Sequence, residues 1–418
     1  MIAVALLPAI GLAADNEKRT DLTLETAWTL AEQANPELRK AQAALDAARG
    51  EIKDASGLLF NNPSVTYENR RRSLSQTGQP GTVRSEWGGG LSQTFEVAGQ
   101  QSFRRASAQS GLSALEQEIA ETRRRVRAEV ETRFVQVLAF QDRIETERRT
   151  LDLIERNTQF ARRRVEAGED SKLDGNLAAI DAERARNQLS ILQEQLTRKR
   201  ADLAALLQLP ERELPTVAGE LIPMETHYTL DQLVTSVSSR PAVRALDLRE
   251  QSARNRLDLE RAARSPDVTI GLSTSREAAI DGSDRITTLG VSLPLPLFRR
   301  NDAGIGRAST ELTQVRIEKA TVARDARATV VAAWQRRESM RNRVKRLAET
   351  VRPKLEENLF LSQRAFKDGE IALPQLLLVQ RQTVDAQRDL VEAQLELRLA
   401  QIELEYAAGW PAERPSAK

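Results

Sequence analysis

Few residues in this chain carry the chemistry of catalysis or of tight metal binding. It has one histidine, His227, and no cysteine. A lone imidazole, with no thiolate or second imidazole beside it, does not make a transition-metal site. Without cysteine, disulfides and thiolate nucleophiles are excluded, and anchoring through a lipidated cysteine is not expected. No nucleotide-binding loop, nucleophile elbow or paired catalytic constellation stands out, so the expectation is a non-enzyme with no cofactor and no bound metal. The most informative polar groups lie at two glycine turns, Ala167-Gly168-Glu169 and Asp368-Gly369-Glu370. Glycine is expected there because a tight helix–turn–helix needs an unhindered backbone. Asp170 and Asp174 follow the first turn, and Gln375 holds after Gly369 the place that Asp174 holds after Gly168. By residue type alone, acids at this place favour the N-terminus of the next helix.

The elements that must position these turns are long helices. Charged residues make up 29% of the chain and aromatics only 4%, a composition of long helices and coiled coils rather than of a compact globule. Sixty-two basic residues balance 60 acidic ones, which argues against a nucleic-acid partner. The arginine runs Arg123–Arg125 and Arg162–Arg164 sit among glutamates and read as solvated helix faces. From about Phe103 to Val165 there is no proline, and the only glycine is Gly111. Apolar positions such as Ile119, Val126, Val130, Phe134, Val137 and Ile144 recur at steps of mostly three and four, a heptad-like seam. Some 60 residues of helix make a rod of roughly 90 Å. A second rod is expected from about Asp302 to Lys367, interrupted by Gly304, Gly306 and Pro353, and Leu173–Leu209 and Leu373–Ala408 return antiparallel.

The chain also contains itself twice. Arg164–Asp174 (RVEAGEDSKLD) is echoed by Arg364–Leu376 (RAFKDGEIALPQL), with glycines at 168 and 369. Leu24-Glu25 answers Leu230-Asp231, Asn62–Val65 answers Ser265–Val268, and Gly90-Leu91-Ser92 answers Gly290-Val291-Ser292. Residues 15–209 and 230–410 are therefore expected to be two structural repeats, joined by a linker at 210–229 and followed by a tail at 411–418. Each repeat reads as a first helix (Thr23–Gly57; Leu230–Arg264), two strands, a very long helix, a glycine turn and a returning helix. Residues 1–14 resemble the end of a secretory signal peptide, with Gly11 and Ala13 in the small-residue places of a cleavage site, although no Lys or Arg precedes Lys18. Beyond them no run approaches the ~18–20 apolar residues of a membrane-spanning helix.

Four segments alternate with period two. Val65 and Tyr67 mark the first. Trp87, Gly89, Leu91, Phe95 and Val97 face one side of the second, opposite Ser92, Thr94 and Glu96. Val268, Ile270 and Leu272 mark the third, and Leu289, Val291, Leu293 and Leu295 the fourth. Each is long enough to cross a bilayer, which takes about 9–11 tilted residues. A membrane sheet cannot leave an open edge, and small barrels need about eight strands. Four strands per chain thus require copies to pool them: two chains give eight, three give twelve. The other reading of the same pattern is a pair of hairpins capping a periplasmic coiled-coil scaffold with no pore.

The tandem repeat, the LTLETAW opening (Leu22 to Trp28), the strand pair before each long helix and the two glycine turns make the chain resemble the TolC-like outer-membrane factor family, over about Leu22 to Trp410. Within that family its overall look is most similar to the outer-membrane components of cobalt–zinc–cadmium efflux systems. The resemblance implies a mainly α fold with membrane β: a homotrimer with a 12-stranded barrel among outer-membrane lipid and a periplasmic α-barrel. It also implies a periplasmic adaptor (membrane fusion protein) and an inner-membrane resistance-nodulation-division transporter as partners. By position, Ala167, Gly168, Glu169, Asp368, Gly369 and Glu370 would face the adaptor. Asp170, Asp174 and Gln375 would lie at the periplasmic gate, with the acidic ring supplied by the first repeat. The function implied is a passive exit duct for divalent heavy-metal cations; the same duct serving drugs or a secreted protein is the alternative.

Overall fold

A computed structural model describes residues 21–74, 81–169, 171–210, 214–221, 228–279 and 282–410. The signal-like residues 1–14, Asp170, His227 and the tail 411–418 lie outside the described residues. The elements run α1 (Leu24–Ala34), α2 (Pro36–Ala55), β1 (Ser64–Leu74), β2 (Thr82–Phe95), α3 (Gln100–Glu166) and α4 (Lys172–Leu207). The second half repeats the order with α5 (Leu230–Ser236), α6 (Pro241–Ala262), β3 (Val268–Ala279), β4 (Gly282–Ser292), α7 (Asp302–Arg346), α8 (Arg352–Lys367) and α9 (Leu373–Ala408).

Three sequence expectations need correction. The first helix of each repeat is two helices, broken at Asn35-Pro36 and at Arg240-Pro241. Asn35 and Arg240 are extended, with ψ of 124° and 133°, because a following proline ring disfavours the helical region. The breaks are themselves a repeat landmark, and Thr23 and Thr229 cap α1 and α5 with equivalent capping boxes. The second rod is not interrupted at Gly304 or Gly306, which α7 passes through. Its interruption is a π-helical turn at Leu347–Val351, immediately before Pro353, where the missing N–H and the ring's clash with the preceding turn force a wider register. Finally, Val97 lies beyond the end of β2, and Leu293 and Leu295 lie beyond β4. Pro294 and Pro296 have no N–H to give a ladder.

The four strands form one antiparallel sheet in the order β1-β2-β3-β4. The hairpins β1-β2 and β3-β4 lie within the repeats; the β2–β3 pairing joins the repeats in register, Leu91 opposite Leu272.

The chain forms two compact units, Met1–Asn35 with Arg127–Glu225 and Arg337–Ile402, and Pro36–Val126 with Thr226–Arg336 and Glu403–Lys418. Each draws on both halves of the sequence. In the first, the linker is held by a parallel bridge in which the Leu22 N–H donates to Thr216 O (2.8 Å) and the Ala218 N–H to Leu22 O (3.1 Å). The Gln141 side chain clamps it onto α3, donating to Val217 O (2.9 Å) and accepting from Val217 N–H (3.1 Å). Glutamates buried between these helices are paired with arginines of α9: Glu147 with Arg388 and Glu131 with Arg398, each at 2.6 Å. In the second unit, Leu233, Val237, Val330, Ala333, Leu404 and Ala408 form an apolar core, small enough at its alanines for helix axes to approach closely. Beside it, Arg240 donates to Glu121 (2.5 Å) and lies over the Tyr406 ring (4.8 Å), which Arg124 flanks from 5.6 Å. Burial lowers the Arg124 pKa from its ordinary value and raises that of Tyr406.

Candidate functional site: the glycine turns and the two-faced sheet

Both glycine turns belong to the first unit and are built alike. At the end of α3, Gly168 N–H donates to Val165 O (3.1 Å) and Glu169 N–H to Arg164 O (2.9 Å); at the end of α8, Gly369 N–H donates to Phe366 O (3.2 Å) and Glu370 N–H to Ala365 O (2.8 Å). These are paired Schellman motifs, with φ of 78° at Gly168 and 76° at Gly369. A Cβ added at either glycine would meet nothing within 4 Å. The backbone conformation, not crowding, therefore demands glycine here, and the outside of each turn is open. Ala167, Glu169, Asp368 and Glu370 are all exposed beside them.

The next helices start with half of a capping box each. Ser171 Oγ accepts from the Asp174 N–H (3.2 Å) and donates to Asp174 Oδ2 (2.7 Å). In the second repeat Ala372 has no cap oxygen, and Gln375 Oε1 reaches back to accept from the Ala372 N–H (3.3 Å). Asp174 and Gln375 thus occupy the same third helical position and both serve helix starts. The Ser171-Lys172-Leu173-Asp174 spacing is the sequence signature of that cap, so this local role was legible from residue type. It does not compete with a charge role, since Asp174 keeps its carboxylate half-exposed.

A single small core ties the two turns together. Phe160 and Phe366 meet edge to face at 5.7 Å, and the Arg164 guanidinium lies 5.2 Å over Phe366. Ala161, Ala178, Leu373 and Leu376 are buried around them. Further along, Asp181 of α4 takes a bidentate contact from Arg381 of α9 (2.5 and 3.2 Å). Sequence reasoning did not find this pair, because its partners come from different repeats and neither has a local motif.

The sheet, in the second unit, separates its chemistry by face. Strand register sets Val65, Leu91, Leu272 and Leu289 in one row, with Gln93, Ile270 and Val291 beside it. Tyr67 and Trp87 lie on the same face by alternation. Most of these side chains are open: Val65 is 81% exposed and Leu289 72%. The opposite face carries Ser64, Thr66, Glu68, Ser92, Ser273 and Thr288, with Gly88, Gly90, Gly271 and Gly290 among them. It holds a hollow of about 460 Å³. A Cβ on Gly90 would come within 3.2 Å of the Ser273 Cβ, so at that position the pairing with β3 leaves little room for a side chain. On β3 the apolar side chains of this face run from Val268 through Ile270 to Leu272, about 13 Å along the strand, and Thr274 and Arg276 continue the face with polar groups. At its far end Glu86 accepts from the Ala278 N–H (3.0 Å), and Arg84 donates to Ala279 O and Gly282 O (2.9 Å each), clamping the β3–β4 hairpin.

Among the described residues no group of three His, Cys, Asp or Glu could hold a metal ion, and no helix is long and apolar enough to cross a membrane. The outer membrane efflux protein family model matches residues 28–208 and 233–410, one match for each repeat. The chain belongs to this family. As a member it is an outer-membrane efflux channel with a helical periplasmic extension, and not an enzyme. The chain is 25% identical over 368 residues to the cobalt-zinc-cadmium resistance protein CzcC of Cupriavidus metallidurans, covering 87% of this chain and 84% of that protein. Its fold is similar to a membrane protein of Pseudomonas aeruginosa (TM-score 0.79, 20% identity, 92% of each chain). It is also similar to the Vibrio cholerae outer membrane protein VceC (TM-score 0.76, 17% identity, 92% of this chain and 96% of that one). The pore-less scaffold, the other reading of the sequence, does not fit a member of this channel family.

Proposed function

We propose that this chain is the outer-membrane exit duct of a heavy-metal efflux pump, passing divalent cations such as Co²⁺, Zn²⁺ and Cd²⁺ outward without binding them tightly. The observation that carries the duct is the two-faced sheet with β1 and β4 at its edges. Such a sheet in a bilayer must close on copies of itself, because lipid offers no partner for edge N–H and C=O groups. A homotrimer would supply twelve strands with the polar faces turned inward. The similarity to a cobalt-zinc-cadmium resistance protein over most of both chains supports metal cations as cargo. Selectivity would then belong to an inner-membrane resistance-nodulation-division transporter, reached through a periplasmic adaptor that docks on the exposed turn residues around Gly168 and Gly369. Loss of this channel is expected to sensitise cells to Zn²⁺, Co²⁺ or Cd²⁺, with resistance restored by the wild-type chain. Sensitivity confined to dyes and detergents would replace metal with drug cargo.

The gate is assigned to Asp174, with Asp170 beside it in sequence; Gln375 is the neutral counterpart in the second repeat. Three carboxylates gathered at a constriction would repel one another and attract cations. Asp174→Asn separates this role from capping, because the amide oxygen still accepts from Ser171 Oγ. The variant is expected to keep its thermal stability and lose cation selectivity in planar-bilayer recordings. Unchanged selectivity with unchanged stability would leave Asp174 as a cap alone.

A further inference from the structure

The apolar stripe of β4 does not stop where the strand stops. Leu289 and Val291 are followed, at the same alternation, by Leu293, Leu295 and Leu297, and then by Phe298. All of this run is open: 47% exposed at Leu293, 70% at Leu295, 65% at Leu297 and 96% at Phe298. The segment is nevertheless anchored. At its end Arg264 donates to Arg300 O (3.3 Å) and pairs with Asp302 (2.9 Å), and Asn301 donates to Glu260 O (2.9 Å). An anchored segment that leaves its largest apolar groups uncovered calls for an outside partner.

The backbone points to what that partner is. Past the last rung of the ladder, each free N–H would be costly in an apolar medium. Here Pro294 and Pro296 remove two of those donors, and the Leu297 N–H is spent inside the segment on Leu295 O (2.8 Å). Arg299 and Arg300 follow at once, both exposed. An apolar run with few free donors that ends in two guanidiniums matches the passage from acyl chains to lipid phosphates. The face is continuous with the apolar band of the sheet. A neighbouring copy would add to β4 through its backbone edge, which leaves this face uncovered.

We infer that Leu293–Arg300 is a lipid-embedded foot of the barrel: its leucines and Phe298 enter the inner leaflet of the outer membrane, and Arg299 and Arg300 bind phosphate headgroups there. It would anchor the channel at the periplasmic boundary. The inference rests on the sheet being a membrane barrel, and the test keeps the two apart.

Because the chain has no cysteine, single spin labels can be placed cleanly in the full-length protein. Leu295→Cys and Phe298→Cys are labelled in vesicles of phosphatidylethanolamine and phosphatidylglycerol, with Leu289→Cys on the sheet and Glu145→Cys on exposed α3 as references. Accessibility to oxygen should exceed that to a water-soluble nickel chelate several-fold at 289, 295 and 298, and the order should reverse at 145. Nickel dominating at 295 and 298 while oxygen dominates at 289 would overturn the foot and keep the barrel. Low access to both reagents at 295 and 298 would overturn it in favour of a protein cover. Nickel dominating at 289 as well would remove the membrane band, and the foot with it.

Discussion

Arg388→Ala is expected to destabilise the protein by about 3–5 kcal/mol, because it leaves the Glu147 carboxylate buried without its charge partner. Glu147 keeps only 2% of its side chain exposed, and Arg388 reaches it with two nitrogens, at 2.6 and 3.1 Å. Charge burial is tolerable only while both partners are present; removing the arginine forfeits the attraction and keeps the desolvation cost. The expected result is a lower guanidinium midpoint at unchanged slope for the detergent-solubilised protein. Arg388→Met combined with Glu147→Leu should recover most of the loss, since an apolar pair of similar volume avoids desolvation altogether. If the single variant unfolds like wild type, the pair is not a structural element of the helical hairpins. The Asp181–Arg381 pair is a weaker case, because Arg381 is 53% exposed and water can replace it.

The second large effect is on the sheet. Leu272 lies between Leu91 and Leu289 in the middle of the apolar row. Leu272→Arg is expected to cost about 2–4 kcal/mol per copy if that row faces acyl chains near the bilayer midplane. Outer-membrane fractionation should then show a marked fall in assembled protein. Thr288→Lys, on the opposite face, should assemble normally and alter conductance instead. Equal tolerance of both substitutions would deny that the two faces see different solvents. The contrast is informative because the residues sit on neighbouring strands and differ in little but the side of the sheet.

Much of this molecule is legible one turn or one strand at a time. Gly168 and Gly369 announce their turns because only a residue free to adopt positive φ completes a Schellman motif, and that requirement is local. Asp174 and Gln375 are cap residues for the same local reason. The rods followed from three-and-four spacing, and the two faces of the sheet from alternation, both properties of a few consecutive residues. The breaks at Pro36 and Pro241 are equally local, although a single helix was expected through each of them.

What the sequence by itself determined, then, is the set of parts and their repetition: long helices, glycine turns, caps, and four strands with an apolar side. The tertiary structure decided which parts meet. It placed β2 against β3, across the long hairpin that separates them, and so turned two hairpins into one sheet. It also gave Glu147 and Glu131 their arginines on α9, and Gln141 its hold on the linker. No local signal marks such pairs, because a buried carboxylate is written in the sequence with the same letter as a solvated one. Its partner is chosen by how helices far apart in the chain pack side by side.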